Sequence, residues 1–128
     1  MKIEGILNDS EVLYTSDEIK VVISNIADTI NEYFRDIKDS VTVLPVMKGA
    51  IPFAGYLIPQ LSFNTIIEYI HVTRYHQNIG TKHCNWIYKP NKSAVKDKVI
   101  LVIDDILDEG ITLLNIKDEL KSMGARSI

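Results

Sequence analysis

The stretch that decides the fold is residues 99–112, which read VILVIDDILDEGIT. Its first five residues are all apolar, as expected for a strand that helices cover on both faces. Two acidic residues, Asp104 and Asp105, follow directly, and Gly110 comes just before a second segment with regularly spaced apolar residues. Four apolar residues at helical spacing then indicate the buried face of a helix: Leu113, Ile116, Leu120 and Met123. Gly124 can end this helix. This part of the sequence predicts a strand, an acidic turn and a helix.

Upstream, an amphipathic helix is predicted to follow an amino-terminal arm. Thr15 and Glu18 have the spacing of a capping box, in which each side chain accepts a hydrogen bond from the other residue's backbone amide. Seven apolar residues then recur with a helical period: Ile19, Val22, Ile23, Ile26, Ile30, Phe34 and Ile37. We therefore expect this face of the helix to pack against the rest of the domain.

Two more strands are predicted between that helix and the acidic stretch. The first, Val41 to Val46, is apolar and ends at Met47-Lys48-Gly49-Ala50. Pro52 then suits the first turn of a helix that reaches about Leu61. The second strand is Thr65 to Thr73. This alternation predicts an α/β fold, an open and mostly parallel twisted sheet with helices on both faces, whose ligands bind at the carboxyl ends of the strands.

A segment of about twenty mostly polar residues, from Arg74 to Ala94, shows no clear period. A loop of that length in a compact domain is usually functional. His76, His83 and Cys84 lie close together in it, but no fourth residue has the spacing of a metal ligand. The sequence therefore favours a solvated loop over a zinc site.

The chemistry of the acidic turn can be inferred from its residues. Gly110 allows a tight turn, and the amides from Asp108 to Thr112 point out of a helix amino terminus, where they can bind a phosphate. Asp104 and Asp105, at the strand end, can accept hydrogen bonds from sugar hydroxyls and assist a hydrated Mg²⁺. A lone acid pair after a strand is more often a solvated turn, so this interpretation depends on the whole pattern.

The whole pattern from Val99 to Thr112 closely resembles the phosphoribosyl-pyrophosphate signature of type I phosphoribosyltransferases, and residues 10–128 resemble their hypoxanthine-guanine group. The resemblance implies that Asp104 and Asp105 bind the ribose and contact Mg²⁺ through water. It also implies that the 5-phosphate is bound by the next loop, which comprises Asp108, Glu109, Gly110, Ile111 and Thr112. Asp108 is the implied catalytic residue, because the family places this acid where it exchanges a proton with the purine's imidazole nitrogen. Glu109 departs from the commoner threonine, and we expect its carboxylate to point away from the phosphate.

Two other segments share the resemblance. Met47-Lys48-Gly49-Ala50 is similar to the family's pyrophosphate loop, in which a cis peptide precedes the lysine, and this implies that Lys48 and Gly49 bind substrate. Ala50 replaces a glycine, which narrows the allowed backbone angles. Arg74 and Tyr75 begin the region, residues 74–94, where the family has a flexible lid over the substrate. Tyr75 is carried over, whereas Arg74 replaces a serine and either adds charge against the leaving group or is an ordinary surface cation.

The resemblance implies a Mg²⁺-dependent enzyme of purine salvage. Such an enzyme transfers 5-phosphoribosyl from phosphoribosyl pyrophosphate to hypoxanthine or guanine, giving IMP or GMP and pyrophosphate. The alternative is a nucleotide-sensing regulator that keeps the fold, binds RNA and has no catalysis. A third hypothesis, a phospho-acceptor signalling domain, does not account for the sequence pattern of residues 108–112. Because Ala125 to Ile128 begins a strand and stops, we expect residues 1–128 to be a single domain whose carboxyl-terminal part is missing.

The composition of the 128 residues narrows the possible partners. A net charge of -3, from 14 basic and 17 acidic residues, provides no basic surface for nucleic acid. The single cysteine cannot form an internal disulfide, and no signal-peptide pattern is present, so we expect a cytoplasmic protein. No apolar run approaches the roughly 18 residues of a membrane span, so we expect no membrane partner. The family resemblance implies a homo-oligomer, either a dimer or a tetramer.

Overall fold

The computed structural model of this protein describes residues 3–74 and 84–128. The helices in these ranges are α1 (Ile3–Asn8), α2 (Ser16–Tyr33), α3 (Ile51–Leu57), α4 (Lys92–Val95) and α5 (Ile111–Ser122). A single 3-10 turn, Ile58–Gln60, continues α3. The strands are β1 (Val41–Met47), β2 (Thr65–Ile67), β3 (Ile70–Arg74), β4 (Cys84–Tyr88) and β5 (Val99–Ile103).

Helix α2 begins with the predicted capping box. The Glu18 amide donates a hydrogen bond to Thr15 Oγ1 at 3.2 Å, and the Thr15 amide donates one to Glu18 Oε2 at 2.7 Å. Two amides at the start of the helix are thereby satisfied. The hydrogen bond from the Thr15 amide, and then that from its hydroxyl, lower the pKa of Glu18.

The buried face of α2 is narrower than the predicted one. Ile23 and Ala27 are buried, whereas Ile19 is 49% exposed and Val22 is 55% exposed. The helix also ends before Phe34, which is its C-cap residue. A 3.6-residue period in the sequence predicts an apolar face on the helix, but it does not indicate which part of that face a neighbouring element covers.

Strand β1 is the centre of the sheet. It pairs in parallel with β2 and β3 along one side and with β5 along the other. β4 pairs antiparallel with β3. Beyond β5, Ser127 makes one parallel bridge to Val99, where the sequence predicted the approach to another strand. The sheet is therefore mostly parallel, and the predicted α/β class is confirmed.

Two predictions about the middle of the chain are corrected. The strand predicted from Thr65 to Thr73 is interrupted at residues 68–69, so β2 and β3 pair with successive parts of β1. The segment 74–94, predicted to be one long loop, contains β4 and the start of α4. Tyr75, His76 and His83 lie outside the described residues, so the flexible lid stays a prediction.

Helices cover both faces of the sheet because side chains alternate along its strands. On β1, Val43 packs with α2 and α3, while Leu44 packs with α4 and α5. Thr42 shares the α4 face, and its buried hydroxyl donates a hydrogen bond to the Ala94 carbonyl at 2.6 Å. The two apolar layers fix the orientation of β1 and β5, and with it the place where the loops after these strands emerge.

Helix α5 packs as its pattern predicts. Ile116 and Leu120 are fully buried, and Leu113 and Met123 pack beside them. Gly124 follows the helix with a φ of 93°, a left-handed conformation that glycine adopts most readily. None of the helices within residues 3–74 and 84–128 has both the length and the apolar character to cross a membrane.

Candidate active site

Three chain segments meet at the carboxyl ends of the parallel strands. The register of β1 with β5 places Pro45 opposite Ile103, so the loops that follow the two strands begin side by side. β3 also runs parallel to β1, and Arg74 is its last residue. The segments that the sequence identified separately are therefore neighbours, as expected for an α/β sheet whose ligands bind at this edge.

The loop after β1, residues 47–50, is short and tight. The peptide bond between Met47 and Lys48 is cis, a feature that the sequence alone left open because Ala50 replaces the family's glycine. The Ile51 amide donates a hydrogen bond to the Lys48 carbonyl at 3.2 Å. Ala50, where the family has glycine, is fully buried and has a φ of -71° and a ψ of -7°. Because these angles are open to any residue, alanine does not prevent this loop conformation.

The loops after β1 and β5 touch at Gly49. A Cβ atom placed on Gly49 would lie 2.6 Å from Asp105 Oδ1 and 2.7 Å from Oδ2. Real side chains do not approach that closely, so the Asp105 carboxylate occupies space that only a glycine leaves open. This contact directs one carboxylate of the acid pair towards the loop that carries Lys48.

Asp104 and Asp105 interact as a pair. Burial raises the pKa of Asp104, and a hydrogen bond with the Asp105 side chain raises it further. The Asp105 amide donates to Asp104 Oδ1 at 2.9 Å, and this contact acts in the opposite direction. Two carboxyl groups so close together favour a shared proton, a cation or hydroxyl donors between them. The arrangement suits a sugar diol or a hydrated metal ion.

The second part of the acidic loop leads into α5. Gly110 is the N-cap residue of α5 and has a φ of 75° and a ψ of 0°, in the left-handed region that requires glycine at low energy. The first amides of a helix have no partner within it, so those that follow Gly110 can bind an anion. Asp108 and Glu109 are exposed, whereas Thr112 is half-buried.

Arg74 reaches this loop from β3. Its Nε atom donates a hydrogen bond to Thr112 Oγ1 at 3.1 Å, and its Nη1 atom lies 3.6 Å from Asp108 Oδ2. The sequence left Arg74 undecided between a substrate ligand and a surface cation, since a contact across 38 positions leaves no local pattern. The structure brings it to the loop expected to bind the 5-phosphate.

Most predicted site residues therefore lie at one edge of the sheet. These are Lys48, Gly49, Arg74, Asp104, Asp105 and residues 108–112. Tyr75 lies outside the described residues. Within the described ranges, no three histidine, cysteine or acidic side chains are grouped so that they could hold a metal ion.

An apolar cavity of about 260 Å³ lies beside the same edge. Ile26 and Ile30 of α2, Phe53 of α3 and Leu107 contribute to its walls. Asp104 is the one charged residue that the described part of the chain contributes to the lining. A phosphate needs several hydrogen-bond donors, which suits the two loops better than this apolar cavity.

Residues 11–128 match the phosphoribosyl transferase domain family, and the chain belongs to that family. Among its curated relatives, the hypoxanthine-guanine phosphoribosyltransferase of Mycoplasma genitalium is 38% identical over 88 residues, which are 69% of this chain and 50% of that protein. The predicted resemblance to the hypoxanthine-guanine group is thereby confirmed.

Solved structures show the same fold. A hypoxanthine phosphoribosyltransferase from Staphylococcus aureus matches with a TM-score of 0.83 and 26% identity, over 99% of this chain and 68% of that one. The hypoxanthine-guanine phosphoribosyl transferase of L. donovani also has a TM-score of 0.83, at 22% identity, and the match covers 92% of this chain and 68% of that one. The chain thus spans about half to two thirds of the length of these relatives.

Proposed function

We propose that this protein acts in purine salvage, as a transferase that moves 5-phosphoribosyl from phosphoribosyl pyrophosphate to hypoxanthine or guanine. The products are IMP or GMP and pyrophosphate. The observation that carries the proposal is the meeting of the Lys48-Gly49 loop with the acidic loop, at the Asp105 carboxylate. The donor has a pyrophosphate at one end of its ribose and a 5-phosphate at the other. A site for it needs one loop for each phosphate group, with a group that binds the ribose hydroxyls between them.

The donor is proposed to bind across the two loops. The amides after Gly110 and the Thr112 hydroxyl bind the 5-phosphate. Asp104 and Asp105 accept hydrogen bonds from the ribose hydroxyls, and their negative charge favours the positive charge that develops on the ribose as the bond to pyrophosphate breaks. Lys48 and the backbone at Gly49 bind the pyrophosphate, which leaves with the electron pair of that bond.

Asp108 is proposed to serve the purine. N9 of the base forms the new bond to the ribose, and the imidazole ring must then hold one proton fewer. A carboxylate at the start of the phosphate loop can accept that proton and return it in the reverse reaction. The Asp108 side chain is 68% exposed, so it is accessible to a base that enters from solvent.

The acid pair fits a magnesium ion that remains partly hydrated. Mg²⁺ usually keeps several waters and is bound through one or two carboxylates together with substrate phosphates. Asp104 and Asp105 provide two adjacent carboxyl groups, with the Asp105 amide donating to Asp104 Oδ1, and Asp105 lies against the proposed pyrophosphate loop. When bound with the donor, the ion supplies charge neutralisation for the departing pyrophosphate.

The setting of the activity is also part of the proposal. We place it in the cytoplasm, since a lone cysteine suits a reducing compartment, and we assign it to a homo-oligomer. Sedimentation of the purified protein tests the second point, because a monomer at micromolar concentration contradicts it.

The experiment that tests the proposed function offers one purine at a time. The full-length protein is incubated with phosphoribosyl pyrophosphate and Mg²⁺, together with hypoxanthine, guanine, xanthine or adenine, and nucleotide is separated from base by chromatography. We expect nucleotide with hypoxanthine or guanine and none after chelation of Mg²⁺. Binding of IMP without turnover of any base would favour the alternative, a regulator that senses nucleotides.

A further inference from the structure

The loop that is proposed to bind the 5-phosphate carries an unfavourable charge for an anion. Residues 104–112 contain four carboxylates, Asp104, Asp105, Asp108 and Glu109, and no lysine or arginine. A phosphate monoester carries a charge between -1.5 and -2 near pH 7, with a second pKa of about 6. The amides at the start of α5 offset part of the repulsion. A cation from outside the loop would offset more of it.

Arg74 is a cation in the required position. Its guanidinium contacts the segment 108–112 at both ends, through Thr112 Oγ1 at 3.1 Å and Asp108 Oδ2 at 3.6 Å. Its side chain is 37% exposed, so the group is held against the loop and still faces solvent. An anion at the start of α5 would therefore meet the guanidinium without a large movement of β3.

The hydrogen bond between Arg74 and Thr112 leaves the useful donors available. A hydroxyl has one proton and two acceptor lone pairs. Because the Thr112 oxygen accepts from Arg74 Nε, its own proton remains for another acceptor. Arginine has five N–H donors in a planar fork that matches the geometry of phosphate. Nε donates to Thr112, and Nη1 faces Asp108 in an exposed ion pair of a kind that is easily exchanged.

We propose that Arg74 is a direct ligand of the 5-phosphate and compensates for the charge of the acidic loop, an inference that rests on the proposed function. It is a specificity-determining residue for the phosphorylated end of the donor and of the nucleotide product. The assignment differs from a role against the leaving group, because the contacts of Arg74 are with Thr112 and Asp108 of the α5 loop.

The test compares two ligands that separate the two phosphate sites. IMP carries a 5-phosphate and no pyrophosphate, whereas Mg²⁺ with inorganic pyrophosphate occupies only the leaving-group site. Dissociation constants for both are measured by calorimetry in the full-length protein and in Arg74→Gln and Arg74→Lys. Arg35→Gln is the matched control, since Arg35 is an exposed arginine paired with Glu32 and Asp36 at the other edge of the sheet.

Arg74→Gln is expected to weaken IMP binding about tenfold or more, the scale of a charge-assisted hydrogen bond, and to leave pyrophosphate binding within about twofold. Arg74→Lys keeps the positive charge but loses the planar set of N–H donors, so its affinity for IMP should lie between those of the parent protein and Arg74→Gln. The salt dependence of IMP binding should also become shallower in Arg74→Gln. Arg35→Gln should change none of these values.

Three results would overturn the inference. The first is unchanged IMP binding in Arg74→Gln. The second is a loss of pyrophosphate binding as large as the loss of IMP binding, which would assign Arg74 to the leaving group. The third is a protein that binds no IMP before any substitution. That third result also rejects the proposed function, whereas the first two leave it standing.

Discussion

The loop after β1 and the loop after β5 lie side by side at one edge of the sheet, but different forces hold them in place. Lys48 and Gly49 are exposed, but residues 47–50 are anchored at Ala50, which is fully buried and donates its amide to the Val46 carbonyl at 3.1 Å. Residues 105–109 are all exposed. Leu107 lines the apolar cavity, whereas Asp108 pairs with Arg74. A packed loop resists displacement, whereas a polar loop can exchange its partners for a ligand.

This difference assigns different parts of the proposed reaction to the two loops. The loop after β1 is anchored at the buried Ala50, which suits a backbone that must present amides and Lys48 to a pyrophosphate in one geometry. The loop after β5 has four carboxylates, an arginine partner and a helix amino terminus, which suit charge and proton handling. Substitutions in the loop after β1 should change ligand binding by altering the shape of the site. Those in the loop after β5 should change binding or turnover by altering its charge.

The largest effect is expected from Asp108→Asn, in the polar loop. The amide keeps the size of the side chain but cannot accept the purine's proton, so turnover should fall by about 10²-fold or more. Binding of phosphoribosyl pyrophosphate should stay within about threefold, because proton transfer contributes only after the donor is bound. Steady-state kinetics and a direct binding titration measure the two quantities.

Asp118→Asn is the control for Asp108→Asn. Asp118 is exposed on α5, at a distance from the loop along the helix, and its loss of charge should leave turnover unchanged. If Asp108→Asn turned over substrate at the parental rate, Asp108 would have no part in proton transfer.

A smaller effect is expected from Gly49→Ala, in the packed loop. The new Cβ meets the end of the Asp105 side chain, which can move away more easily than backbone can. We therefore expect loss of an oriented carboxylate and not unfolding, with donor binding in the presence of Mg²⁺ about tenfold weaker. The free energy of unfolding should change by less than about 1 kcal/mol.

Gly55→Ala is the matched control for Gly49→Ala. Gly55 lies within α3, and apart from its chain neighbours and the backbone of the helix itself no atom lies within 4 Å of a Cβ added there. Alanine has the higher helix propensity, so this substitution should stabilise the protein by up to about 1 kcal/mol without changing donor binding. Equal donor binding in Gly49→Ala and Gly55→Ala would show that the position of Asp105 does not matter.

The smallest effect is expected from Glu109→Thr, again in the polar loop. Removal of an exposed carboxylate and gain of a hydroxyl donor should tighten IMP binding by about two- to fivefold. Glu11→Thr, an exposed substitution outside the acidic loop, controls for the change of net charge. Weaker IMP binding in Glu109→Thr would mean that Glu109 has a favourable role at the site.

Much of the fold could be predicted because local signals and burial agree. The capping box at Thr15 and Glu18 marks the start of α2, and the apolar run of β5 indicates a strand covered on both faces. The two apolar layers on β1 follow from alternation alone. These features depend on residues that are close together in the sequence, and such local patterns are visible in the periodicity of apolar residues.

The remaining features depend on residues that are distant in sequence. β4 has an alternating pattern of only five residues, Cys84–Tyr88, and it pairs with β3 across a polar segment, so nothing local marked it. The contact of Asp105 with Gly49 and that of Arg74 with Thr112 arise only when the sheet brings strand ends together. The sequence identified these site residues by their resemblance to a family, but not which of them touch.

Backbone amide NMR tests most directly whether the two loops bind one donor molecule between them. The protein is labelled with ¹⁵N and titrated with phosphoribosyl pyrophosphate in the presence of Mg²⁺. We expect the largest shifts at Gly49 and at Gly110, Ile111 and Thr112, with little change at Lys98, next to the amino end of β5. Shifts confined to one of the two loops, or absent from both while the donor binds elsewhere, would contradict it.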